Sequence, residues 1–208
     1  AEAFQDLEAA AWLAEDSLER YQAMRGQFHI LVEHALDHGE VHLLADQSAV
    51  AVWMHHDQAP APEPRDYDQR LVEACGQYTE RFRILDQILH EHHPVEPGHH
   101  HLAFLAVLPP WQATGRGSAL LAHHHQHLNA TGTPAYLEAS SPRSRHLYTR
   151  FGYRAAGQAF RLPDGPAFWP RWRQPHPAIT PAPTLRMAPS PKRMRLSTLA
   201  ASAWRSTS

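Results

Sequence analysis

The chain has 208 residues, 43% of them apolar, and one cysteine, so it can bury the core of one ordinary domain and holds no intrachain disulfide. No run of about eighteen apolar residues offers a membrane span, and no basic segment leading into an apolar run opens the sequence. A cytoplasmic protein without membrane partners is expected. The formal net charge of −2 hides a division, because residues 1–100 carry 19 acids and 6 bases whereas residues 101–208 carry 2 acids and 13 bases. A basic second half suits a ligand with several phosphates, and an acidic first half suits a cationic one, although carboxylates that merely solvate helix faces give the same count.

Residues 4–24 place Phe4, Leu7, Ala11, Leu18 and Tyr21 at helical spacing, and Phe28 to His38 repeat the pattern up to Gly39. Short strands are predicted over Val41–Leu44 and Val50–Trp53, around an Asp46-Gln47-Ser48 turn. Three prolines make residues 57–64 a loop. Tyr67 to His92 follow as a long amphipathic helix with a break near Gly76. His101–Val107 is the predicted central buried strand, followed by a helix over Gly115–Ala130, a strand over Ala135–Ala139 and a helix over Arg143–Arg150. Tyr153–Arg161 and Phe168–Trp172 make a last pair of strands. The alternation predicts an α/β fold, a mixed central sheet with helices on both faces. Residues 175–208 carry six prolines, five basic residues and no acid, which predicts a mostly disordered tail in which Leu196–Trp204 could dock as a short element.

The most informative segment is 102–118, LAFLAVLPPWQATGRGS. An apolar strand meets a Pro-Pro break, then a glycine-bearing loop, then an Ala- and Leu-rich helix. Glycines let backbone N–H groups converge, and a helix start adds unpaired N–H groups and a positive dipole end, so the segment suits a pyrophosphate. A Walker loop needs a lysine that is absent here, and a dinucleotide fingerprint needs a third glycine where Leu120 stands. Gln112-Ala113-Thr114-Gly115-Arg116-Gly117 reads Q-x-x-G-x-G, with Ser118 after it. Following a strand, that pattern resembles the acetyl-CoA signature of the GNAT superfamily of N-acetyltransferases. Downstream, PAYLEASSPRSRHLYTRFGY resembles that family's next strand and helix, ending in Leu147-Tyr148, three residues, then Gly152-Tyr153. The likeness spans roughly 28–174, a single acyltransferase domain over 1–174 that starts inside the family's first helix without the strand before it. It is similar above all to actinobacterial small-molecule enzymes of the puromycin-acetylating kind.

The resemblance implies an acyl-CoA N-acyltransferase fold and direct acetyl transfer from acetyl-CoA to a primary amine of a small molecule. Leu105, Ala106 and Val107 would pair with the pantetheine arm, and Gln112, Ala113, Thr114, Gly115, Arg116, Gly117 and Ser118 would hold the phosphates. Ser141 stands where many members carry asparagine, so Ser144 or nearby backbone is an alternative contact for the arm. Tyr148 is the expected general acid, because a phenol stays protonated at neutral pH. His101 stands where histone-acetylating members carry a glutamate base, and Glu138 is the second candidate. Residues 55–100 would wall the acceptor cleft, with Glu73, Glu80 and Asp86 drawing a cationic amine. The competing readings are a peptide acetyltransferase and a non-catalytic acyl-CoA sensor.

His99-His100-His101 and His123-His124-His125 with His127 suggest zinc or nickel, and His123 and His127 share a helix face. No H-E-x-x-H, no paired cysteines and no carboxylate at useful spacing accompany them, so no metal is expected. The basic tail lacks interleaved aromatics, so nucleic acid is not expected either, and a homodimer is left open.

Overall fold

The computed structural model describes residues 1–56 and 62–176. The chain opens with a short 3-10 turn, Glu2–Phe4, then α1 (Glu8–Leu13) and α2 (Ser17–His38). Asp16 starts α2, its carboxylate accepting from the N–H groups of Leu18 and Glu19 at 2.9 Å. The helix then runs unbroken through Gly26, where two separate segments were expected. A Cβ on Gly26 would stand 2.5 Å from the Ala74 Cβ. The glycine is thus a close-packing position between helices, and no break.

β1 (Gly39–Leu43) and β2 (Ala49–His56) form an antiparallel hairpin. α3 (Tyr67–Cys75) and α4 (Thr79–His92) follow, separated by one 3-10 turn at Gly76–Tyr78, close to the expected break. β3 is His99–Val107, α5 Arg116–Thr131, β4 Ala135–Ala139 and α6 Pro142–Arg150. β5 (Arg154–Ala155) and β6 (Phe160–Arg161) are short pieces where one strand was expected, and β7 is Ala167–Arg173. The strand order is β1-β2-β3-β4-β7-β5, with β6 also on β7. Among the described residues only the β3–β4 pair is parallel, so the sheet is mixed.

One core cluster packs Trp53, Leu102, Leu120, Leu121, Leu128 and Leu137 between α5 and the sheet. Another joins α1, α2, α3 and α4 through Leu13, Met24, Leu71 and Phe82. The proposed docking of Leu196–Trp204 falls outside the described residues.

Candidate active site

β3 and β4 pair only at His100–Ala135 and His101–Tyr136, then part. On its other side β3 stays paired with β2 out to Val107. The backbone of Leu105, Ala106 and Val107 therefore presents an edge toward β4 that β4 does not take up. The sheet opens after His101, leaving the six residues Leu102–Val107 of β3 unpaired on that side. A bulge at Ala103 contributes: Val52 faces Phe104 and Trp53 faces Leu102, so Ala103 is the extra residue. It lets Leu102, Leu105 and Val107 all pack on the α5 side while Phe104 meets Phe4 and Phe28 on the other.

The loop that follows is bent by two left-handed residues, Ala113 at φ +61° and Gly115 at φ +87°. Gly115 is the N-cap of α5, where an L side chain would cost roughly 1–2 kcal/mol. The Ala119 N–H closes the first helical bond on the Gly115 carbonyl at 2.9 Å, so the N–H groups of Arg116, Gly117 and Ser118 have no intrahelical acceptor. They begin the helix beside the free edge of β3: a Cβ on Gly117 would lie 3.5 Å from Val107 Cγ2 and 3.6 Å from Leu105 Cδ2. The free strand edge, the left-handed loop and the exposed helix start thus adjoin, an arrangement that fits a pantetheine arm followed by a pyrophosphate.

Side chains around this cradle are less free than the sequence suggests. Arg116 stacks over Trp111, 4.0 Å from the ring centroid, and donates to Ser48 Oγ at 2.6 Å, Thr114 Oγ1 at 2.8 Å and Asp46 Oδ2 at 3.1 Å. It clamps the loop to the β1–β2 turn. Ser141 and Ser144 form the capping box of α6, each hydroxyl accepting the other's backbone N–H at 3.1 Å. Gln112 donates to the Val107 carbonyl and accepts from Arg143, both at 3.3 Å. Arg143 was not expected at the site; it opens α6 and crosses to the loop, a tertiary relation without any local signal.

Tyr148 lies buried on α6, ring edge-on to Tyr153 at 5.7 Å. Burial pushes its phenol well above the usual range, which keeps the proton in place. Tyr153 in turn bonds His125 Nε2 at 3.0 Å.

His101 and Glu138, 37 residues apart, meet at 2.9 Å between Nε2 and Oε2. Burial of Glu138 opposes its charge, but His101 and His93 beside it outweigh that and hold the carboxyl well below its ordinary range. An ionised carboxylate only accepts, so His101 Nε2 is the donor of this bond. The two base candidates are therefore one unit. His56 and His93 stand beside it, one ring nitrogen of each of the three imidazoles lying within 4.8 Å of the others. Burial and then the charge of His93 lower His56 to about 3, so it stays neutral.

The acidic residues of the inserted helices do not gather here. Asp86 is half-buried between α2, α3 and α4, accepting from Tyr67 Oη at 2.6 Å and Gln27 Nε2 at 3.1 Å. Burial pushes its carboxyl up to about 6, its two hydrogen bonds opposing in part. Glu73 pairs with Gln69 and Glu80 with Arg83 on exposed helix faces. The first of these facts corrects the idea that Asp86 draws an amine.

Residues 70–155 match the acetyltransferase (GNAT) domain family. A Corynebacterium glutamicum protein described as a histone acetyltransferase HPA2 and related acetyltransferase superposes with a TM-score of 0.58 at 25% identity, over 87% of this chain and 88% of that one. The fold of the chain is the acyl-CoA N-acyltransferase fold, and the match over 70–155 together with this neighbour supports an acetyl-CoA-dependent N-acetyltransferase. The Escherichia coli ribosomal-protein-S18-alanine N-acetyltransferase is similar at 18% identity and TM-score 0.41, over 77% of this chain and 93% of that one. AtaTR bound with AcCoA gives 13% identity and TM-score 0.32, over 59% and 60%. No helix among the described residues of this acetyltransferase is long and apolar enough to cross a membrane.

Proposed function

We propose that this acetyltransferase moves acetyl from acetyl-CoA directly to a primary amine of a small molecule, as its likeness to puromycin-acetylating enzymes suggests. The observation that carries the reading is the early parting of β3 from β4 beside the start of α5. The edge at Leu105–Val107 would pair with the pantetheine amides, and the Val107 N–H would polarise the thioester oxygen as charge develops on it. Backbone N–H groups from Ala113 to Ser118 would take the pyrophosphate. Arg116 would act through the loop it clamps, and Arg143 joins the site as an additional cation near the phosphates. The Ser141–Ser144 capping box would present the start of α6 to the arm.

His101, oriented by Glu138, would accept the ammonium proton on Nδ1. It lies four residues before Leu105, about 13 Å along the strand, so that proton travels through water. Tyr148 would donate to the departing thiolate.

A small acceptor is favoured by the surroundings of His101. His93 from the end of α4, Tyr136 and Glu138 close around it, and Tyr136 Oη ties to the His92 carbonyl at 3.3 Å. A peptide needs an open groove, and this corner is walled. The name of the Corynebacterium glutamicum neighbour favours the peptide reading, so the test sets the two side by side. Thiol release from acetyl-CoA is followed with aminonucleosides, polyamines, aminoglycosides, and histone and ribosomal peptides. Turnover of at least one small amine, with peptides slower by tenfold or more, is expected. Turnover of peptides alone would contradict the proposal.

A further inference from the structure

On the opposite face of the sheet from His101, under α5, a second group of histidines gathers around one carboxylate. Glu40 and His42 come from β1, His55 from β2, His100 from β3 and His124 from α5. His42 Nε2 lies 2.9 Å from His124 Nδ1 and 3.4 Å from Glu40 Oε2, and His124 Nδ1 lies 4.0 Å from that same oxygen. The point equidistant from these three atoms is about 2.0 Å from each, the length of a zinc–imidazole or zinc–carboxylate bond. We propose that Glu40, His42 and His124 form a site for a late divalent transition ion, zinc above all, separate from the acetyl-transfer cleft.

The surroundings are those of a metal site and not of a chance cluster. A ligating imidazole is held by a partner on its other nitrogen. His124 has one, since its Nε2 lies 3.0 Å from His100 Nδ1, and its ring is further fixed by stacking on Trp53 at 4.0 Å. The second oxygen of Glu40 lies 3.4 Å from His55 Nε2. Without metal, one of the facing nitrogens of His42 and His124 must carry a proton; an ion takes that proton's place and uses both lone pairs. Two imidazoles and one carboxylate leave a fourth position for water, and the side-chain exposures of 28% for Glu40, 13% for His42 and 0% for His124 put the opening on the Glu40 side. Sequence spacing hides the site, because the carboxylate stands 84 positions from His124 and reaches it only through the β1–α5 packing.

The His56–His93–His101 group competes for the same ions, so it serves as the control. The full chain, stripped with chelator and free of any added histidine tag, is titrated with Zn²⁺ in calorimetry and with Co²⁺ followed by visible absorption. One zinc per chain, tighter than the background of scattered imidazoles, is expected. Glu40→Gln and His42→Ala should each weaken it about 10- to 100-fold, and His93→Ala should leave it unchanged. Thermal melts of the metal-free proteins report folding, and if His42→Ala does not fold, the isosteric Glu40→Gln decides. No tight equivalent, a tight equivalent that Glu40→Gln leaves untouched, or one that His93→Ala removes would overturn the proposal.

Discussion

Gly117→Ala should separate folding from cofactor binding. The added methyl would rest at ordinary contact distances, 3.5 Å from Val107 Cγ2 and 3.6 Å from Leu105 Cδ2, so the core accepts it. Glycine within a helix costs roughly 0.5–1 kcal/mol relative to alanine, so the variant should melt at or slightly above the parent. The same methyl stands where the free edge of β3 and the start of α5 adjoin, and there it holds the pyrophosphate away from the helix N–H groups. A hydrogen bond to a charged group contributes about 1.5–3 kcal/mol, so losing one weakens CoA about 10- to 100-fold. Gly117→Arg fills the cradle and should lose more. Calorimetry with CoA and thermal melts on the same preparations measure both effects. Parent-like CoA affinity in either variant would refute the placement of the phosphates.

Tyr148→Phe removes a buried hydroxyl with little effect on the fold, and turnover should fall by about one to three orders of magnitude; unchanged turnover would exclude it as the acid. Glu138→Gln keeps an acceptor for His101 Nε2 but not the charge, so kcat should drop about 10- to 100-fold with CoA affinity unchanged; equal kcat would disconnect the pair from catalysis. Cys75 is buried, its thiol pushed up to about 12 by burial, so Cys75→Ala should retain parent turnover, and a large loss would point to an acyl-cysteine route. Asp86, raised from 3.8 to about 6 by burial, contributes stability that is fully present below pH 3.8 and lost as pH rises through about 6. Urea melts should therefore show Asp86→Asn gaining about 3 kcal/mol on the parent between pH 4 and pH 8, and a pH-independent difference would refute the assignment.

The elements from β3 to α6 were legible because their punctuation is local. Pro109-Pro110 ends the strand, Gly115 opens α5, and the Ser141-Pro142 start with Ser144 caps α6. The continuity of α2 was hidden for the opposite reason: the partner of Gly26 is Ala74, on another helix. The bulge at Ala103 is set by pairing with β2, and no pattern within β3 announces it. The site followed the same rule. The strand, loop and helix that build the cradle were legible in the sequence, whereas side-chain partnerships were not. His101 with Glu138, Gln112 with Arg143, Arg116 with Asp46 and Glu40 with His42 and His124 all depend on elements that only the tertiary fold brings together. Asp86 looked solvated on its helix because its burial is imposed by Tyr67 and Gln27 from two other helices.

The most direct measurement is a crystal structure of the chain with acetyl-CoA. The account predicts pantetheine amides bonded to the backbone of Leu105–Val107, the pyrophosphate on N–H groups between Ala113 and Ser118, and the thioester carbonyl facing the Val107 N–H. Acetyl-CoA bound elsewhere, or β4 closed onto Leu105–Val107 with the cofactor excluded, would contradict it.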